Sequence, residues 1–169
     1  MDAQDLRDIQ APFKGRYANE PEAAVITLCV EGTVGGDGIA CSVQTSRAMV
    51  EAGLHPSAGG GGVQAYSGDM LLEALVACAG ITLRAVATAI EVGVRGGTVH
   101  AEGDLDVRGT LGVAKDGPVG FKDIRLHFDL ETGAGESQIA TLLKLTERYC
   151  VVFQTLRAAP AIGFSHSVS

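Results

Sequence analysis

Apolar and polar residues alternate strictly in three stretches of the chain, the period of a half-buried strand. Residues 98–107 set Val99, Ala101, Leu105 and Val107 on one face against His100, Glu102, Asp104 and Asp106 on the other. Residues 121–130 carry Ile124, Leu126, Phe128 and Leu130 on one face, and 109–120 turns between these two strands. Residues 39–44 alternate Ile39, Cys41 and Val43 with Ala40, Ser42 and Gln44. They read as the return strand of a hairpin. Its first strand is 23–30, rich in Val, Ile and Thr, and its turn is the glycine-rich segment 32–38.

Residues 69–92 follow another rhythm. Apolar residues cover almost the whole circumference of a helix, with Ser67 or Asp69 near its start and Gly93, Gly96 and Gly97 after its end. Such a helix belongs at the centre of a fold. Residues 136–157 predict a second helix with one stripe, in which Ile139, Leu142, Leu143, Thr146, Cys150, Phe153 and Leu156 recur at spacings of three and four; Pro160 stops it. Residues 5–10 predict a short helix, 47–54 fit a strand or a helical turn, and 161–169 fit a final edge strand. Residues 55–62, HPSAGGGG, form a flexible loop and lack the Gly-Lys-Ser/Thr that a phosphate loop needs. The order β-β-(β)-α-β-β-α-β is an α+β pattern with strands paired as hairpins. The chain divides into a polar N-terminal segment, residues 1–22, and one domain, residues 23–169.

Composition narrows the class. A chain of 169 residues can bury a core without a disulfide or metal. Hydrophobic residues at 46% and charged residues at 20% exclude a disordered chain. A net charge of −7 argues against nucleic acid or an anionic membrane surface as the main partner. The apolar run 70–92 is long enough to span a membrane, but Glu73 and Arg84 interrupt it. Ionisable side chains at that depth are costly in lipid, so a helix buried in protein is expected instead. Residues 1–10 lack the basic and then apolar pattern of a secretory signal, so reduced thiols in the cytoplasm are expected.

The four cysteines stand at 29, 41, 78 and 150, with no CxxC and no Cys/His pair at zinc spacing. Cys29 and Cys41 fall on opposite faces of the predicted hairpin, so no disulfide joins them and both read as packing residues. Cys78 and Cys150 lie on buried helix faces. Burial raises a thiol pKa, and Cys78 sits nine residues past Asp69, beyond reach of its own helix N-terminus. On the residues alone, inert packing is therefore favoured over a functional pair. Arg148 should point away from Cys150, and Glu73 and Arg84 are too far apart to pair within one helix, so a structural ion pair across a dimer is favoured over a catalytic role. His55 could line a pocket or bind a metal, although a solvated loop histidine is the commoner role; His100, His127 and His166 should be exposed.

The segment SGDMLLEALVACAGITL resembles the part of the OsmC/Ohr family that carries its first active-site cysteine. There an acidic residue opens the central helix and a cysteine follows about two and a half turns later; Asp69 and Cys78 match that pattern. TERYCVVFQTL places Cys150 in the second helix, where the family carries its second cysteine. The resemblance covers residues 24–169. It implies an OsmC-like α+β fold, with antiparallel sheets wrapped around central buried helices in an intertwined homodimer. It further implies a thiol-dependent peroxidase acting on organic hydroperoxides in oxidative stress defence. Cys78 would be the attacking thiolate and Cys150 the resolving thiol, reset by an external dithiol with no cofactor or metal.

The chain departs from the family in places. The first hairpin turn, GTVGGDG, has no arginine to pair with the thiolate, and Arg47 is the best replacement, held by Asp69 where Glu is usual. Val151, Val152 and Phe153 follow the second cysteine where Pro-Val-Ser is frequent. Because burial disfavours a thiolate, a cation beside Cys78 is expected. The competing reading is a non-catalytic member that binds a small hydrophobic or thiol ligand in the dimer pocket. A metal site from Cys78, Cys150 and His55 is the weakest alternative.

Overall fold

The computed structural model describes residues 2–25, 27, 31–34, 40–44, 49–113, 116 and 119–168. Helix α1 spans Ala3–Asn19, well beyond the short helix expected at 5–10. No apolar stripe announces it. It is started by a reciprocal cap, in which the Asp2 carboxylate accepts from the Asp5 N–H and the Asp5 carboxylate from the Asp2 N–H. Side-chain pairs such as Gln4–Asp8 support its exposed surface.

Strands β1 (Glu31–Val34), β2 (Ala40–Gln44), β3 (Met49–Gly53) and β4 (Ala65–Tyr66) form one sheet in that order. Of the first strand expected at 23–30, residues 26 and 28–30 lie outside the described residues. A 3-10 turn occupies Pro21–Ala24, and β1 falls partly in the segment read as a turn. Proline at the head of that turn has a fixed φ and no N–H, which suits a helical start and not a strand. The β1–β2 pair is antiparallel, and the ambiguous segment 47–54 supplies β3, antiparallel to β2. Strand β4 joins β3 in parallel, an addition that two residues are too short to signal by alternation.

Helix α2 (Ser67–Ala89) follows, then β5 (Val94–Leu105), the single turn α3 (Val107–Thr110) and β6 (Phe121–Thr132). Strands β5 and β6 make an antiparallel ribbon in the register Val99↔Phe128 and Ala101↔Leu126, so the apolar sets of both strands share one face. On the solvent face, Arg125 reaches Asp104 at 2.6 Å, Asp123 at 2.9 Å and Glu102 at 3.3 Å, tying the strands together. Gly97 has φ of +143°, and a Cβ there would lie 2.1 Å from the Asp129 carbonyl oxygen, so only glycine fits.

The helix expected at 136–157 is two helices, α4 (Glu136–Tyr149) and α5 (Val151–Arg157), divided at Cys150. Residues 159–168 form no strand, and Phe164 is 100% exposed. A strand needs an edge to pair with, and none among the described residues pairs with it. The core lies where α2 and α4 cover the apolar face of the ribbon: Leu83, Val86, Ala87, Val92 and Leu142 cluster against Phe128 and Leu130. By length and composition α2 could cross a membrane; here it packs on α4, α5 and β5. That packing covers one side only, and Ile81 remains 72% exposed.

Leu142 has no exposed surface, so Leu142→Ala removes a buried side chain from the centre of the core. A loss of about 2–5 kcal/mol of stability is expected, read as a lower denaturant midpoint at unchanged slope.

Candidate functional site

The site begins with a local conflict in helix propensity. Cys150, Val151 and Val152 are poor helix formers, and two of them are β-branched. The helix breaks there: Cys150 adopts φ −73° and ψ 109°, ending α4 and opening α5. Its own N–H still reaches the Thr146 carbonyl at 3.0 Å, and its carbonyl accepts from the Gln154 N–H at 3.0 Å. The elbow is braced from outside. The Gln154 side-chain amide donates to the Glu147 carbonyl at 2.8 Å, and the Arg157 guanidinium pairs with the Glu147 carboxylate.

The elbow meets α2 at Cys78, whose side chain is half-buried and lies beside that of Cys150, which is 1% exposed. Desolvation works against a charge on Cys78. It is outweighed by the backbone N–H of Val152, the Cys150 thiol, the backbone N–H of Val151 and the Thr82 hydroxyl, all hydrogen-bonding to the Cys78 sulfur. The Cys78 thiol is thereby held below the ordinary cysteine value. Cys150 moves the other way. Burial pushes its pKa up, and donation to Cys78 and the repulsion of a neighbouring thiolate add to it; the Phe153 and Val152 amides oppose the shift without reversing it. The pair thus consists of an acidic sulfur on α2 and a protonated donor at the elbow. A cavity of about 230 Å³ adjoins it, lined by Leu126, Phe128, Leu143 and Phe153 together with the polar Thr146 and Glu147.

The remaining predicted residues are placed as follows. Asp69 stands exposed in the first turn of α2, nine residues and about 13 Å along the axis from Cys78. Arg47 and Cys29 lie outside the described residues; Cys41 occupies β2, its backbone opposite Val34 and Ala52. Backbone amides from a different helix favour the Cys78 anion, a stabilisation the sequence did not suggest. His55 caps the turn after β3. Its Nδ1 accepts from the Ser57 N–H at 3.1 Å, and its ring lies edge-on to Tyr66. Among the described residues no three His, Cys, Asp or Glu side chains are grouped to hold a metal ion. Arg148 lies over the Tyr149 ring, and Arg84 donates to the Val94 carbonyl at 2.6 Å.

Sequence reasoning missed the elbow, its amides, Gln154 and Thr82. Two signals were available: the Val-Val pair after Cys150, and the spacing of four that sets Thr82 on the Cys78 face of α2.

Residues 59–165 match the family described as OsmC-like protein, more than half of the chain, and the protein belongs to that family. Solved structures of the same architecture agree. An OsmC-like protein from Mycoplasma pneumoniae aligns with a TM-score of 0.66 at 16% identity, over 79% of this chain and 89% of its own. An organic hydroperoxide resistance protein from Elizabethkingia anophelis aligns with a TM-score of 0.65 at 16% identity, over 80% and 91%. The organic hydroperoxide resistance protein OsmC of Legionella pneumophila gives 0.62 at 18%, over 80% and 92%. At these identities the likeness is one of fold. No curated protein matches the chain.

The opposed environments of the two sulfurs have a direct readout in pH-dependent alkylation by iodoacetamide, followed peptide by peptide in a mass spectrometer. The midpoint for Cys78 should fall below the ~8.5 of a free cysteine, and that for Cys150 above it. Equal midpoints would contradict the assignment.

Proposed function

We propose that this protein is a two-cysteine thiol peroxidase that reduces organic hydroperoxides. The observation that carries the reading is the contact between Cys78 and Cys150 with opposite shifts in acidity. A nucleophile must be a thiolate at neutral pH, while a resolving thiol can remain protonated until it is needed. The Cys78 thiolate attacks the terminal oxygen of the hydroperoxide. The O–O bond breaks, the alkoxide takes a proton and leaves as an alcohol, and Cys78 is left as a sulfenic acid. Cys150 then attacks the Cys78 sulfur, losing its proton; water departs and a disulfide remains. An external dithiol reduces that disulfide by exchange and is itself oxidised. Its first attack falls on the Cys150 sulfur, since the lower-pKa Cys78 is the better leaving group. Such a cycle needs a reducing compartment, and the cytoplasm supplies one.

Arg47 enters this reading from the sequence, as a guanidinium that would approach Cys78 while Asp69 holds it by charge-assisted hydrogen bonds. A second copy of the chain completes the site. Ile81 lies one turn from Cys78 on an uncovered side of α2, and Ile162 and Phe164 are also left to solvent. Apolar surface beside a reactive thiol is better accounted for by a homodimer than by a monomer. The cavity beside Cys150 favours a second reading, a protein that holds a small apolar ligand without turnover.

Consumption of tert-butyl hydroperoxide with a dithiol such as dithiothreitol separates the two readings. Wild type should turn over, Cys78→Ser should consume nothing, and Cys150→Ser should react once and then over-oxidise at Cys78. Arg47→Ala should slow the first oxidation by about tenfold or more with the fold intact. A wild type inert to alkyl hydroperoxides leaves the ligand-binding reading in its place. Sedimentation should give a dimer at micromolar concentration; a stable monomer would remove the shared site.

A further inference from the structure

In an unbroken helix the N–H of Val151 would donate to the carbonyl four residues back, that of Glu147. Val151 is not proline and has an N–H to give. That carbonyl is instead occupied by the Gln154 side-chain amide at 2.8 Å, while Gln154's own backbone N–H bonds the Cys150 carbonyl. Below the elbow the ladder is intact as far as the bond from Cys150 to Thr146. Three carbonyls, those of Glu147, Arg148 and Tyr149, would carry the ladder from α4 into α5, and the side-chain donor takes the first of them. The Arg157–Glu147 ion pair straps the same two helices on the same side. The displaced N–H groups of Val151 and Val152 are the ones that face Cys78.

We infer that Gln154 is a positioning residue: by donating to the Glu147 carbonyl it keeps the helix broken at Cys150 and turns the Val151 and Val152 amides toward the Cys78 sulfur. It touches neither sulfur and acts through the backbone. Removing its donor leaves the Glu147 carbonyl open to Val151, and the helix can then close across Cys150. Val151→Pro has the opposite effect, because proline has no N–H and its ring clashes with the carbonyl four residues back.

The inference deepens the peroxidase reading, so its test measures the acidity of Cys78 without peroxide. The pH profile of Cys78 alkylation by iodoacetamide is recorded in the full-length protein for wild type, Gln154→Met, Gln154→Ala, and Gln154→Met combined with Val151→Pro. Both single variants should raise the pH midpoint and slow alkylation at pH 7 about fivefold to tenfold. Adding Val151→Pro should recover part of that loss, since the Val152 amide is kept. A role in stability alone would lower the unfolding temperature and leave the pH midpoint where it was. An unmoved midpoint in either folded single variant overturns the inference; if Gln154→Ala does not fold, Gln154→Met, close to glutamine in length, decides. A wild type inert to hydroperoxide overturns the peroxidase reading and leaves this one standing.

Discussion

The site depends on the placement of one hydrogen bond. The Glu147 carbonyl sits at the last turn of α4 and takes its donor from the Gln154 side chain rather than from the main chain. A helix continued through Cys150 would spend its amides internally, and the poor helix formers Cys150, Val151 and Val152 already weaken that alternative. The break costs helical bonds and exposes polar groups. Of those groups, the Glu147 carbonyl takes the Gln154 side-chain amide, and the Val151 and Val152 amides turn to the Cys78 sulfur. The amides offered to the thiol are fixed in the backbone and need no reorganisation when charge develops.

Two sulfurs in contact do not titrate independently. A proton shared between them belongs to the one whose surroundings least tolerate a charge. Cys150 is deeper and Cys78 collects more donors, so the proton stays with Cys150. Desolvation raises the pKa of both; hydrogen bonding decides the order. This is why burial alone, read from an apolar helix, does not give the direction of the Cys78 shift.

The fold leaves apolar surface on one side of α2, where Ile81 is open to solvent, while the other side is sealed by α4, α5 and the β5–β6 ribbon. A helix apolar around its circumference is thus only half accounted for by the described residues. The same holds for the C-terminal residues, whose alternation of Ile162 and Phe164 suits a strand that finds no edge among the described residues.

Elements whose cause is local periodicity were legible in the sequence. The alternation of Val99 and Ala101, and of Leu126 and Phe128, determined both strands of the ribbon and the face they bury. The apolar circumference of α2 determined a central helix, and the setting of Cys78 and Cys150 pointed to the family through resemblance. Helix α1 was underestimated because caps and charge pairs, not an apolar stripe, sustain it. Strand β4 was missed because two residues carry no period. The break at Cys150 was invisible to a count of threes and fours, since Phe153 and Leu156 keep the spacing of the stripe on the far side of the elbow. Only the tertiary structure decided which sulfur is the acid, because the amides that stabilise the Cys78 anion belong to residues more than seventy positions away in the chain. Sequence periodicity reports which face of a segment is buried; hydrogen bonds between distant segments, which set the chemistry here, leave no period to read.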